Sequence, residues 1–425
     1  MNDYKSIVKY NSFANKIIFP YKISSYIIAD FAAAINLWLK IRPSEPLTLD
    51  FSGVTNPYSN GMLPIIATVH DLRLKGYGIK ALLPHDAYTR RIFRSTNWAW
   101  LLDPQYPRSE STHDRHLVTT QFTDGKDLLT ITKGFMDIVL RNMSIPSDIT
   151  SALEWSVYEI CDNVINHSES KTGGFVEVVT FPKQDVISFT VADAGRGILD
   201  SLKEGIPTLR TDVQAIGEAI KAGVTRNKEF GQGNGLAGSL RITTMTGGSI
   251  DILSGSGRFY STLDNSNKTE GRIHQSFKGT SVSGYIKMNK NFSIGEALKF
   301  GGTHPYVPVN LIDLQYEMED KDCLLIKMKT ETTGFGTRHA GRQMRTKTLN
   351  LINSHPKFPV YIDWEGIPVI SSSFADEYMG KLFIEIGPLN FSAIIRNKNM
   401  ELLVKQLLDK AILQRLAQEA QEIPQ

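Results

Sequence analysis

Three short patterns, Glu159-Ile-Cys-Asp-Asn163, Asp193-Ala-Gly195-Arg-Gly197 and Gly231-Gln-Gly233-Asn-Gly235-Leu236, follow one another in the stretch that decides the fold. The first lies in Ser151–His167, a run without Gly or Pro. Val157, Ile160, Cys161 and Val164 recur there at helical spacing and are predicted to form a core face. Glu159, Asn163, Asn166 and His167 recur at i, i+4, i+7 and i+8, giving a second, polar stripe. An acid and an amide one turn apart can share the work around a metal-bound phosphate. The amide oxygen is a hard ligand for Mg²⁺, and the acid can orient or deprotonate an attacking oxygen. A solvated helix face produces the same stripe, so the pattern alone leaves both readings open.

The second pattern closes the apolar run Val186–Ala192, which predicts a buried strand with Asp193 at its end. A carboxylate there can accept a hydrogen bond from an exocyclic amine such as that of adenine, and Gly195 and Gly197 let the backbone turn sharply beneath a flat ring. An ordinary strand-to-turn Asp-x-Gly is written with the same letters. In the third pattern, alternating glycines precede Leu236–Met245, a predicted helix, and exposed N–H groups at such a terminus suit phosphate. Gly233-x-Gly235-x-x-Gly238 also matches the dinucleotide fingerprint. The preceding Ala222–Phe230 is too polar for the strand that fingerprint requires, and no Walker sequence occurs.

In this order, the patterns resemble the GHKL ATP-binding superfamily: gyrase-type, heat-shock-chaperone and mismatch-repair ATPases, sensor histidine kinases and anti-sigma-factor serine kinases. Phe277-Lys-Gly279-Thr280, opening a run to Ile286, is similar to the Gly-Thr strand that closes the same pocket. The resemblance implies a Bergerat-fold Mg-ATP site. In it Asn163 holds Mg²⁺, Asp193 reads the adenine amine, Gly195 and Gly197 line the base, and Thr280 supports Asp193. Gly231, Gly233 and Gly235 cover the phosphates, with Leu236 completing the motif. Glu159 is the implied catalytic acid or base, for hydrolysis or for phosphorylation of a hydroxyl. Sensor histidine kinases usually lack an acid there. Asn163-Val-Ile-Asn-His167-Ser is more similar to the anti-sigma-factor kinases.

A chain of 425 residues with 41% hydrophobic and 21% charged residues predicts several globular domains. A formal net charge of +3 gives no strong nucleic-acid signal. Two isolated cysteines, Cys161 and Cys323, exclude a disulfide framework or zinc site and suit a reducing cytoplasm. No secretory h-region opens the chain, and the longest apolar stretch, 26–39, is short and broken by Asp30. A cytoplasmic protein without a membrane span is expected.

Residues 1–110 alternate strands and helices at βαβ spacing: a helix over 24–40, a strand over 47–51, a helix over 60–75 and a strand over 79–83. Leu49-Asp50-Phe-Ser-Gly-Val54 with Tyr58-Ser-Asn-Gly61 resembles a STAS domain. Asn60 stands where that family places its phosphorylated Ser, which implies docking rather than phosphate acceptance; the neighbouring Ser59 keeps a hydroxyl close by. Pro107–His116 is a polar linker, and its His113 and His116 lack the companions of a metal site. A lid over ATP is implied for 199–230, where Arg226 or Lys228 can reach a γ-phosphate or can simply be solvated.

Residues 305–425 form a third unit, similar to the STAS-like domains that accompany GHKL modules in bacteria. Ten residues beyond Asp363 stands Ser373, in Ser371-Ser-Ser373-Phe374. These serines either cap a helix beginning at Phe374 or offer a phosphate acceptor or sensor at Ser373, with Arg338 and Arg342 as anion partners. The leucine-patterned tail 401–422 is expected to pack on its own domain rather than in a dimer seam. The expected whole is an α/β (α+β sandwich) protein in which an ATP-binding domain over 117–292 is flanked by the two STAS-like units. Its expected function is a bacterial signalling switch with ATPase or serine/threonine kinase activity. The alternative is an ATP-gated dimer or partner scaffold with negligible turnover.

Overall fold

The computed structural model describes residues 8–109, 116–221, 223, 234–261, 267–271, 276–288, 291–300, 308, 315–318, 321–332 and 334–422. The chain divides into two compact units, Met1–Phe135 with Ala152–Pro308 and Met136–Ser151 with Val309–Gln425.

The first unit begins with short strands β1 (Lys9–Asn11), β2 (Lys16–Ile18) and β3 (Lys22–Ile23), then helix α1 (Ile28–Ile41), β4 (Leu47–Asp50) and β5 (Asn56–Pro57). Helix α2 (Ser59–Leu74), β6 (Ile79–Leu82), α3 (Ala87–Ser95) and α4 (Trp98–Leu102) complete this part. β4 and β6 are parallel neighbours, as the βαβ spacing predicts, while β2, parallel to β4, and the antiparallel edge strand β1 have no counterpart in the sequence reading. There follow β7 (His116–Phe122), α5 (Gly125–Asn142), α6 (Ser147–His167), β8 (Gly174–Phe181), β9 (Val186–Asp193), α7 (Gly197–Leu202), α8 (Asp212–Ala219) and α9 (Gly235–Met245). Strands β10 (Ser249–Gly255), β11 (Gly257–Ser261), β12 (Asn267–Gly271) and β13 (Phe277–Lys287) close the unit's main sheet. That sheet has seven antiparallel strands in the order β12-β11-β10-β13-β9-β8-β7.

Strand β9 is buried almost throughout because both faces of the sheet are covered. Its odd-numbered residues share a face with Asp193 and meet the side of α6 and α9. There Gly174 leaves room for Val164 and the ring of Phe122, which a Cβ would approach within 3.0 and 2.5 Å. The predicted core face of α6, Val157, Ile160, Cys161 and Val164, is buried. Burying each such aliphatic side chain contributes about 1.5–3 kcal/mol.

On the opposite face, β-pairing lines up Glu177, Thr190, Ser283 and Asp251 in one row across four strands. This row is polar yet buried or nearly so, because the N-terminal α/β part lies on it. Phe175, Ala192, Leu253 and Phe277 share a single hydrophobic core with Ile28, Phe31, Leu49, Met62 and Ile66. The row's ends are satisfied jointly by that part and by neighbouring strands of the sheet. Ser59 Oγ donates to Glu177 at 2.6 Å, Trp98 Nε1 donates to it at 2.8 Å, and Thr119 Oγ1 also donates to it. At the other end Arg258 grips Asp251 through Nε at 2.8 Å and Nη2 at 2.9 Å, and Ser25 Oγ donates to it at 2.6 Å. The segments expected to separate near residue 110 therefore share one core. Ser59 is engaged with Glu177, and the Asn60 side-chain oxygen is buried without a hydrogen-bond partner among the described residues.

The second unit carries a four-stranded sheet of Glu317–Met318, Lys321–Lys327, Val360–Asp363 and Ile395–Lys398, the last three parallel. Lys347, on helix Arg338–Ser354, is wholly buried between the carboxylates of Asp137 and Glu331. Asn350 donates to the carbonyls of Leu140 and Met143. These bonds explain why 136–151 belong here. The terminal helix Leu402–Glu422 buries Val404, Leu408 and Ala411, and Arg415 makes two 2.7 Å bonds to Asp376, so it packs on its own unit. No helix among the described residues is long and apolar enough to cross a membrane.

A buried carboxylate depends on each of its donors. Trp98→Phe should lower stability in urea unfolding by about 1–3 kcal/mol. Combined with Glu177→Ala it should cost less than the sum of the two changes, because both act on one network.

Candidate functional site

Helix α6 carries Glu159 and Asn163 on the flank that faces the N-terminus of α9. The fit depends on glycine. A Cβ at Gly235 would lie 2.9 Å from Glu159 Oε2 and 3.2 Å from Asn163 Nδ2, and one at Gly238 would lie 2.2 Å from the Trp155 ring. Gly235 and Gly238, one turn apart on α9, thus receive Trp155, Glu159 and Asn163, spaced by one turn on α6. Gly238 completes a chance dinucleotide fingerprint in the sequence; its structural role is to let two helices touch. Leu236 is half-buried in the first turn of α9, and Asn234 at its N-cap accepts a 2.9 Å bond from the Gly223 N–H. Gly231 and Gly233, together with Arg226 and Lys228, lie outside the described residues.

Asp193 ends β9 and is 2% exposed. The Gly195 N–H donates to its Oδ1 at 2.7 Å and the Thr280 N–H also donates to the carboxylate, yet burial outweighs both and lifts its pKa to about 7. Two glycines make this crowding possible. A Cβ at Gly195 would lie 2.1 Å from the Ser168 carbonyl oxygen, and one at Gly279, whose φ is +122°, would lie 2.0 Å from the Asp193 carbonyl oxygen. Glu159 is also raised to about 7, first by burial and then by the negative charge of Asp162. Asp162 itself is raised by burial and accepts a 2.8 Å bond from Asn166.

Ser254 is a member of this site that motif reading misses. Its buried hydroxyl accepts from the Ile198 N–H at 2.9 Å, donates to the Gly279 carbonyl at 3.1 Å and lies 3.2 Å from Thr280 Oγ1. It thereby ties the turn containing Gly197, where φ is +82°, to the strand containing Thr280. Just beyond it, Asp212 at the start of α8 accepts from Ser256 N at 2.9 Å and Ser256 Oγ at 2.8 Å, fixing α8 against the β10–β11 turn. The only sequence sign of either role is the Ser-Gly-Ser-Gly run at 254–257.

Glu159, Asn163 and Gly235 are therefore brought together, as are Asp193, Gly195, Gly197 and Thr280. Ser373 belongs to the second unit. There Ser371, not Ser373, caps a helix that begins at Ser372 rather than at Phe374: its hydroxyl accepts from Phe374 N at 3.0 Å. Arg342 pairs with Glu377 at 3.5 Å, and Arg345 joins Glu377 to Glu385. No group of three or more potential metal-ligating His, Cys, Asp or Glu side chains occurs among the described residues.

Residues 149–289 match the family described as histidine kinase-, DNA gyrase B-, and HSP90-like ATPase. The match spans Glu159, Asp193, the glycine motif and Thr280, and supports a GHKL-type ATP-binding domain on this α/β fold. No curated protein matches the chain.

The folded chain holds the Asp193 proton more tightly than the unfolded chain does. The ligand-free domain should lose stability as pH rises from about 4, the unfolded value, to about 7, and no further. Asp193→Asn should accordingly melt no lower than wild type at pH 8 in a calorimetric scan, even though it removes the proposed adenine contact.

Proposed function

We propose that the chain is a Mg-ATP-dependent signalling switch in which Glu159 promotes transfer of the γ-phosphate to water or to a protein serine. The observation that carries this reading is the convergence of Glu159 and Asn163 on the glycine N-terminus of α9, within a segment that matches an ATPase family. Asp193 reads the adenine amine, held for the purpose by the Gly195 and Thr280 N–H groups. Gly197 shapes the turn beneath the base. Gly235 and Leu236 begin the helix whose first-turn N–H groups suit the phosphates; Gly231 and Gly233, outside the described residues, are assigned to the phosphates by motif alone.

A lone amide suits magnesium, which keeps several waters and takes one or two protein ligands plus phosphate oxygens; Asn163 is that ligand. Bound there, the ion would offset the negative charge of the phosphates. Glu159 takes the proton from the attacking hydroxyl as ADP leaves. A carboxylate titrating near 7 is matched to that work at neutral pH. For a kinase, Ser373 is the acceptor candidate within this chain, since Ser371 does the capping; a separate partner's serine is the other. An acid at position 159 and the sequence after Asn163 favour a serine kinase or ATPase over a histidine kinase.

The flanking segments, 1–110 and 305–425, are read as STAS-like units around the ATP-binding segment 117–292. Their parallel strands support this, β2-β4-β6 in one and 321–327, 360–363 and 395–398 in the other. They are the surfaces for a protein partner or a second copy, in a bacterial, cytoplasmic setting.

Incubation with γ-labelled Mg-ATP tests the reading. Label should appear as free phosphate or phosphoserine, and Glu159→Ala should reduce it by about 10²-fold or more. Asn163→Ala should abolish the Mg²⁺ requirement together with ATP binding. ATP binding without label transfer would leave an ATP-gated scaffold, and absence of binding at millimolar ATP would overturn the reading. Because kcat/KM reports the free protein, it should rise with pH through about 7 as Glu159 and Asp193 lose their protons, then level off.

A further inference from the structure

Two halves of the pocket come from different elements: Asn163 and Glu159 from α6, Asp193 from the end of β9. Something must fix their separation, because a nucleotide that touches both can do so at only one spacing. Arg196 lies between them. Its backbone N–H donates to the Ser168 carbonyl at 2.8 Å, and its Nε donates to the His167 carbonyl at 3.0 Å. Both acceptors close the C-terminus of α6, one turn beyond Asn163, where a cation also meets the negative end of the helix dipole. The other edge of the guanidinium pairs through Nη1 with Glu204 at 2.5 Å and Glu169 at 3.0 Å. Glu204 follows α7, and Glu169 follows α6 with a left-handed φ of +53°. The arginine side chain is 15% exposed and its Nη2 is buried without a partner among the described residues, whereas the Glu169 and Glu204 side chains at the clamp's outer edge are 66% and 49% exposed.

We propose that Arg196 is a positioning residue that sets the spacing between the base-reading carboxylate and the magnesium-holding amide. The proposal rests on the ATP reading above. A planar guanidinium holds its carbonyl-facing and carboxylate-facing donors at fixed, separate positions, whereas a lysine ammonium presents its donors from a single point. Adenosine uses the Asp193 half alone, whereas Mg-ATP must span both halves.

The test is calorimetric titration of the full chain with Mg-ATP and, separately, with adenosine, for wild type, Arg196→Ala and Arg196→Lys. Arg196→Ala should weaken Mg-ATP by about tenfold or more and adenosine by less than about threefold. Arg196→Lys should resemble Arg196→Ala. Equal loss of both ligands, loss of neither, or full rescue by lysine overturns the proposal. Should Arg196→Ala fail to fold, the double variant Glu169→Gln/Glu204→Gln, which keeps the arginine and releases its outer edge, should show the same inequality on a smaller scale; its absence is equally decisive. Wild type that binds adenosine and not Mg-ATP, or neither, overturns the ATP reading itself and is thereby distinguished from failure of the clamp.

Discussion

The seating of Trp155, Glu159 and Asn163 of α6 against two glycines of α9 is the constraint on which the site depends. Here Gly235 and Gly238 present bare backbone to Trp155, Glu159 and Asn163. The acid and the amide are thereby placed beside the first turn of α9. A methyl group at either glycine would meet an aromatic ring or the two functional side chains. The contact joins the first and third sequence motifs.

The opposite face of the sheet gives this domain its second character. Glu177, Thr190, Ser283 and Asp251 form a polar row that an isolated domain would turn to water. Here the row is covered by α2 and its neighbours, and its acidic ends are saturated by Ser59, Trp98 and Thr119 on one side and by Ser25 and Arg258 on the other. Polar groups buried in this way are costly when a donor is missing and directional when every donor is present. The N-terminal part is thus joined to the nucleotide-site sheet by a shared core and specific bonds. Strand β8, which bears Glu177, pairs with β9, which bears Asp193. A physical connection therefore runs from the N-terminal helices to the proposed base contact.

Burial has opposite consequences for the site's two acids and for the second unit's lysine. Asp193 and Glu159 are raised to about 7 by burial, which no cation among the described residues offsets. Lys347, buried more deeply, keeps its charge because Asp137 and Glu331 surround it. The lysine and its partners form a closed ion cluster. The acids sit where a nucleotide's amine and a metal's charge would complete them, in keeping with the tendency of shifted carboxylates to mark functional sites.

Local pattern in the sequence was enough to place the elements that carry the candidate site. The spacing of Val157, Ile160, Cys161 and Val164 marks the buried face of α6, the run from Val186 marks β9, and the ordered motifs name the domain that residues 149–289 match. Each of these signals lies within a few residues of chain, where 3.6-residue or two-residue periodicity speaks directly. Contacts between distant segments carry no such periodicity. Ser254 bonds the turn at Ile198 and the strand at Gly279, Glu177 gathers donors from Ser59, Trp98 and Thr119, and Gly238 serves helix packing while spelling a nucleotide fingerprint. Tertiary structure alone decided these roles, because a hydroxyl, a carboxylate or a missing Cβ acquires its function from what the fold brings within about 3 Å of it.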